Sequence, residues 1–212
     1  MTGHFITFEG GEGAGKSTQV KRLNDHLIKA GYDILLTREP GGSEGAEALR
    51  EFLLFGGHSL SLRSEIMAHF AARCDHIDQV IKPALEKGKI VICDRYTDST
   101  LAYQGYGLGK GDQTILSFIQ KLILLIDLQP EQTFIFTIPY AIAQQRLQQR
   151  SQKTDRYEKQ NEDYHHRVAD GFIQIAKDHP SRCHIINGHD KMETIEQIIF
   201  NKVHQQFPDI IL

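Results

Sequence analysis

Residues 10–17 run Gly10-Gly11-Glu12-Gly13-Ala14-Gly15-Lys16-Ser17, the spacing G-x-x-x-x-G-K-S, with Thr18 next. Glycines at this spacing let the backbone curl until several N–H groups converge on one point, where they can hold phosphate oxygens. The loop leaves a β-rich run, His4–Glu9, and enters a helical pattern at once, so a helix N-terminus adds its partial positive charge there. Lys16 can reach the β- and γ-phosphates of a nucleotide, and the Ser17 hydroxyl can ligate Mg2+. The competing reading, a flexible glycine turn, ignores both the Lys-Ser pair and the strand–helix context.

A second cluster ends another apolar run: Ile90-Val91-Ile92-Cys93-Asp94-Arg95-Tyr96. A carboxylate at a strand tip beside a phosphate loop is placed to steady Mg2+ and its waters. Arg95 then sets a cation near the group being transferred. Alone, Asp94 could equally cap a helix beginning at Tyr96; beside a phosphate loop the metal reading is the stronger. No Asn-Lys-x-Asp tetrad follows a later strand, which argues against a guanine-nucleotide switch, and a motor ATPase usually needs more chain.

At this point the chain resembles the thymidylate (dTMP) kinase family. Ile92-Cys93-Asp94-Arg95-Tyr96-Thr97-Asp98-Ser99-Thr100-Leu101-Ala102-Tyr103-Gln104 looks like that family's signature. Thr37-Arg38-Glu39-Pro40-Gly41-Gly42 is similar to the TREPGG segment of its bacterial members, and Phe70-Ala71-Ala72-Arg73 to its F/Y-A-A-R helix segment. With the phosphate loop these fall in the family's order, and the resemblance covers about residues 4–200. It implies the reaction ATP + dTMP → ADP + dTDP with Mg2+. The attacking oxygen belongs to a phosphate already ionised at pH 7, so no general base is assigned. Lys16, Arg95 and a lid arginine carry the electrostatic work.

The resemblance also implies an acceptor site. Arg38 and Arg50 hold the acceptor phosphate, and Arg73 meets the thymine carbonyl edge. Thr100 and Gln104 face the base with Ser99 beside them, and Tyr103 lies against the sugar, where its bulk disfavours a 2′-hydroxyl. Glu12 stands near the acceptor 3′-hydroxyl and the metal. The plainer alternatives are an ion pair of Arg73 with Asp75 or Asp78, and ordinary exposed arginines at 38 and 50. Where the family usually has a Phe stacked on thymine, four residues before this arginine, the chain has His69, with Phe70 next. His69 as a neutral stacking imidazole is favoured, because adjacent helix positions point about 100° apart and Phe70 could serve only if the helix shifted. Protonating a buried imidazole costs desolvation, so any loss of affinity between pH 7 and pH 6 should be smaller in His69→Phe. Gly13 stands where some members carry a loop arginine, which moves that cation to the polar segment 144–160. Arg150 is the first choice there and Arg156 the second, with Arg146→Ala, one helical turn earlier, expected to leave kcat nearly unchanged. A lid at 144–160 would exclude water from the reaction.

These residues need a scaffold, and the hydrophobic pattern supplies one. Strand-like runs at His4–Glu9, Tyr32–Thr37, Lys89–Cys93, Thr133–Ile138 and Arg182–Ile186 alternate with helical patterns at Ser17–Lys29, Gly45–Phe55, Leu62–Leu85, Thr114–Ile126, Ala141–Arg150, Gln160–Lys177 and Met192–Phe207. Alternation of this kind predicts an α/β fold of P-loop NTPase type, with a parallel five-stranded sheet covered by helices on both faces and a small lid. The 212 residues read as a single nucleoside monophosphate kinase-like domain spanning 1–212.

A net charge of −3 does not describe a polybasic nucleic-acid binder. Cys74, Cys93 and Cys183 form no Cys-x-x-Cys pair, and no apolar run approaches a membrane span or a signal sequence, so a cytoplasmic protein without nucleic-acid or membrane partners is expected. The resemblance implies a homodimer through helices on one face. Another (deoxy)nucleoside monophosphate or nucleoside kinase, a non-catalytic nucleotide-binding module and a small ATPase acting on a protein partner are the alternatives. Assaying ADP release over a panel of monophosphates separates them.

Overall fold

The computed structural model describes residues 3–149 and 155–210. Five parallel strands form one sheet in the order β2-β3-β1-β4-β5: β1 His4–Gly10, β2 Ile34–Arg38, β3 Ile90–Asp94, β4 Gln132–Thr137 and β5 Cys183–Asn187. Each strand is an apolar run because both of its faces are covered. Phe8 of β1 and Arg38 of β2 are both in register with Asp94 of β3, so the phosphate loop, Arg38 and Asp94 emerge at one end of the sheet. In open α/β sheets, ligands bind outside that carboxyl end.

One face of the sheet packs on α1 (Lys16–Lys29) and α9 (Met192–Gln206), where Ile6, Phe8, Leu23, Leu27, Ile195 and Ile199 are buried together. The other face carries α3 (Leu62–His76), α6 (Gln113–Ile126) and α8 (Glu162–Asp178), with Phe5, Val91, Ile66, Ile119 and Phe172 among its buried residues. Helix α2 is Glu44–Phe55 and α7 is Tyr140–Gln148. Strand and helix ends differ from the sequence expectation by a residue or two, the usual uncertainty of an element's boundary. Among the described residues no helix is long and apolar enough to cross a membrane.

Two stretches depart from that expectation. Helix α3 widens into a π-helical stretch, Ile77–Ile81, before α4 (Lys82–Glu86), so Pro83 falls in a first helical turn, where its missing N–H costs least. Residues 97–108, which the sequence pattern left without an element, form α5 (Thr97–Thr100) and a π-helical stretch, Leu101–Leu108. Glycines at 105 and 107 weaken its helical signal, and tertiary packing supplies what propensity lacks. A Cβ at Gly107 would lie 2.5 Å from the Tyr164 ring, and one at Gly171 would lie 2.7 Å from Tyr106, so the two glycines let this stretch and α8 cross closely.

Candidate functional site

The phosphate loop links β1 to α1, with Gly10, Gly13 and Gly15 all at positive φ. Lys16 is buried, and its ammonium donates to the carbonyls of Gly10 (3.0 Å) and Gly11 (2.8 Å). Burial, then the nearby Arg95, lowers its pKa to about 8. Such an ammonium gains from an incoming phosphate. Ala14 is buried, and Thr18 lies exposed in the first turn of α1. Gly13 has φ 71°, and a Cβ there would meet the Ala143 carbonyl of α7 at 2.8 Å, so an arginine at this position is excluded by backbone. The neighbouring cation is Arg146 instead. It donates to the carbonyls of Gly13 (3.2 Å) and Gly188 (3.0 Å), clamping the phosphate loop to the loop after β5. Arg146→Ala, which the sequence offers as a near-neutral control, therefore removes a contact with the phosphate loop that spacing alone does not show.

Ser17 Oγ donates to Asp94 Oδ2 at 3.1 Å, while Asp94 Oδ1 is buried with no hydrogen-bond partner among the described residues. A hydroxyl beside a carboxylate with a spare oxygen suits a hard cation that takes its other ligands from phosphate and water. Arg95 follows at φ 74°, a conformation that L side chains rarely adopt. Neighbours hold it there. Its N–H donates to the Phe8 carbonyl (2.9 Å), and its guanidinium donates to the Gly10 carbonyl (2.9 Å), Ser99 Oγ (3.1 Å) and Glu12 Oε1 (2.5 Å). Burial opposes its charge, but Glu12, Tyr103, Asp94 and Glu9 together outweigh this and raise its pKa well above the usual value. Tyr103 also donates to Glu12 Oε1 (3.2 Å) and lies under the Arg95 guanidinium at 5.0 Å.

A cleft of about 470 Å³ runs from Lys16, Ser17 and Asp94 past Arg95 to Arg38, Arg50, His69, Arg73, Ser99, Thr100, Tyr103 and Gln104. These residues come from five separate segments of the sequence, and the fold gathers them around one space. Arg73 is buried and paired with Glu39 (2.7 Å), not with Asp75 or Asp78. It also donates to the Tyr96 carbonyl and Thr100 Oγ1, both at 3.0 Å, and its second terminal nitrogen, Nη1, has no partner among the described residues. Arg38 is half exposed and bonded to Glu47; Arg50 donates to the Pro40 carbonyl at 2.7 Å. Burial, then Arg38, lowers the Arg50 pKa, the condition of a cation that an anion would relieve.

His69 is on the cleft wall, while Phe70 is in the core with the Arg73 guanidinium 4.8 Å from its ring. Burial, then Arg73 and Arg156, pushes the imidazole pKa down to about 3. His69 is therefore neutral at pH 6 as well as at pH 7, and no loss of affinity in that interval arises from its protonation. Arg156 Nη2 lies 3.4 Å from Glu65 Oε2, and Arg150 is outside the described residues.

Three buried carboxyl groups of the site had no role assigned from the sequence: Glu9 and Glu65, which lie in no motif, and Glu39, which lies within residues 37–42. Glu9 is fully buried, accepts from Tyr96 N (2.6 Å) and Ser99 Oγ (2.5 Å), and has its pKa raised to about 7 by burial and then Asp98. Glu39 joins Arg73 to His76, which in turn bonds Thr37 Oγ1 at 2.7 Å. Glu65 accepts from Gln104 and Tyr157. The available signal was Glu at core-facing positions, since a buried carboxylate needs partners.

Comparison with known proteins gives one answer. A profile of the family described as thymidylate kinase matches residues 8–199. The thymidylate kinase of Gluconobacter oxydans (strain 621H) is 49% identical over 203 residues, covering 96% of this chain and 95% of that one. That of Bradyrhizobium sp. (strain ORS 278) is 43% identical over 207 residues, covering 96% and 91%. The crystal structure of thymidylate kinase from Ehrlichia chaffeensis superposes with a TM-score of 0.76 at 36% identity, over 96% of this chain and 99% of that one.

Proposed function

This chain belongs to the thymidylate kinase family, and from that premise we propose that it transfers the γ-phosphoryl group of ATP to dTMP, giving ADP and dTDP. The observation that carries the reading is a single cleft joining Lys16 of the phosphate loop to the buried Arg73, whose Nη1 lacks a partner. ATP phosphates sit on the loop, where Ser17 and Asp94, near Glu12, would hold Mg2+, and the ion would offset the phosphate charge. Arg38 and Arg50 take the acceptor phosphate. Arg73, Thr100 and Gln104 address the base, His69 serves as its platform, and Tyr103 bars a 2′-hydroxyl. Arg95, held rigidly by Glu12 and Gly10, supplies positive charge without reorganising. A lid at 144–160 of this single domain adds Arg150 or Arg156 and excludes water.

Homodimerisation is part of the same reading. Met67 on α3 and Leu124 and Leu125 on α6 are 49%, 77% and 78% exposed, apolar residues on two helices that cover the same face of the sheet. Three free cysteines accord with a cytoplasmic setting. The deciding assay is ADP release over a monophosphate panel. dTMP is expected to be the best acceptor and UMP a poor one. dUMP should be weaker than dTMP but active, because a methyl is worth only ~1–3 kcal/mol. Equal kcat/KM for UMP and dTMP would overturn the assignment.

A further inference from the structure

Tyr157 comes from the polar segment, yet it is buried. Asp155 accepts from the N–H groups of Tyr157 (2.8 Å) and Glu158 (3.0 Å), a turn that sends the ring inward to meet Tyr103 edge-on at 5.9 Å. The Tyr157 hydroxyl donates to Glu65 Oε1 at 2.8 Å. A hydroxyl has one proton, so the 2.9 Å contact with His69 Nε2 requires the imidazole to donate. This fixes the neutral ring as the Nε2–H tautomer and fixes its plane. Gln104 Nε2 also lies 3.4 Å from His69 Nε2, but its shorter bond is to Glu65 Oε1 at 3.1 Å.

We infer that Tyr157 is a positioning residue for the acceptor base: its hydroxyl orients His69 and, through Glu65, ties the end of the polar segment to the floor of the base pocket. The inference rests on reading the cleft as the dTMP site. An imidazole has two tautomers and a ring free to turn, whereas a benzyl side chain has no polar edge to orient, so a His platform needs a partner that a Phe platform would not.

The test uses the full-length protein with Tyr157→Phe, His69→Phe, His69→Gln and the two double variants. Tyr157→Phe is expected to raise KM for dTMP about fivefold to tenfold, leaving kcat and KM for ATP within about twofold. In the His69→Phe background the same change should move KM by less than about twofold, because no donor remains; in His69→Gln, which keeps a donor, the loss should persist. Imidazole 15N spectra should show the Nε2–H tautomer in the unmodified protein and its loss in Tyr157→Phe. Additive KM effects, an unchanged tautomer, or a fall in Tm with KM unmoved would each overturn the inference. If dTMP leaves the His69 resonances unmoved in an active enzyme, the base-pocket reading itself fails. Moved resonances with additive KM effects remove only the role of Tyr157.

Discussion

At the scale of single residues, the site is built from groups whose ordinary charge state or geometry is overridden by neighbours. His69 is the clearest case. Its pKa falls from the ordinary 6.5 to about 3 on folding. Below pH 6.5 the unfolded chain binds a proton that the folded chain refuses, so this residue makes stability fall as pH drops from about 6.5 towards 3. Denaturant unfolding of His69→Phe should therefore lose less stability than the unmodified protein between pH 7 and pH 5, by at most roughly 2 kcal/mol. Parallel losses in the two proteins would refute it. Arg73 makes a second case. Replacement by Ala leaves Glu39 buried beside His76 without its guanidinium and removes the unpartnered Nη1. The expected result is a loss of about 3–5 kcal/mol in stability and a KM for dTMP raised by about 10²-fold. Arg73→Lys should rescue neither fully, since an ammonium cannot bond Glu39, Tyr96 and Thr100 with one planar fork.

At the scale of elements, the phosphate loop is braced from outside its own motif. Helix α7 lies so close to Gly13 that the loop cannot carry a side chain there, and Arg146 of that helix bridges the Gly13 and Gly188 carbonyls. Arg146→Ala should raise KM for ATP about tenfold and leave KM for dTMP nearly unchanged; equal effects on both substrates would count against the clamp. The crossing of α8 over Leu101–Leu108 is equally tight, since a Cβ at Gly107 would lie 2.5 Å from the Tyr164 ring. Gly107→Ala should cost ~1–3 kcal/mol by overpacking against Tyr164, read as a lower midpoint in urea with an unchanged slope.

At the scale of the whole molecule, the cleft is backed by carboxyl groups removed from water, Glu9, Glu39 and Glu65, and by the Asp98–Arg182 pair. Burying charges gives little net stability, whereas a buried, fully bonded pair holds its partners in one geometry. The outer surface makes the opposite bargain, leaving Leu124 and Leu125 in water. Leu124→Glu combined with Leu125→Glu should convert a dimer to a folded monomer in sedimentation velocity. An unmodified protein that sediments as a single chain would dispose of the dimer.

The sequence by itself determined the fold class and most of the cleft. Apolar runs of strand length between amphipathic stretches are a consequence of a sheet covered on both faces, and the phosphate loop works through local backbone, so both are written in neighbouring residues. Residues 37–42, 70–73 and 92–104 were likewise legible because each is contiguous. Only the tertiary structure decided how they are joined. It pairs Arg73 with Glu39, places Arg146 on the phosphate loop, and brings Tyr157 to His69 across 88 positions of chain. It also makes a helix of residues 97–108, where two glycines lower the local propensity and α8 provides the packing. The physical reason is the same throughout. Periodicity and turn chemistry are short-range, whereas the partner of a buried charge depends on which distant side chain shares its low-dielectric pocket.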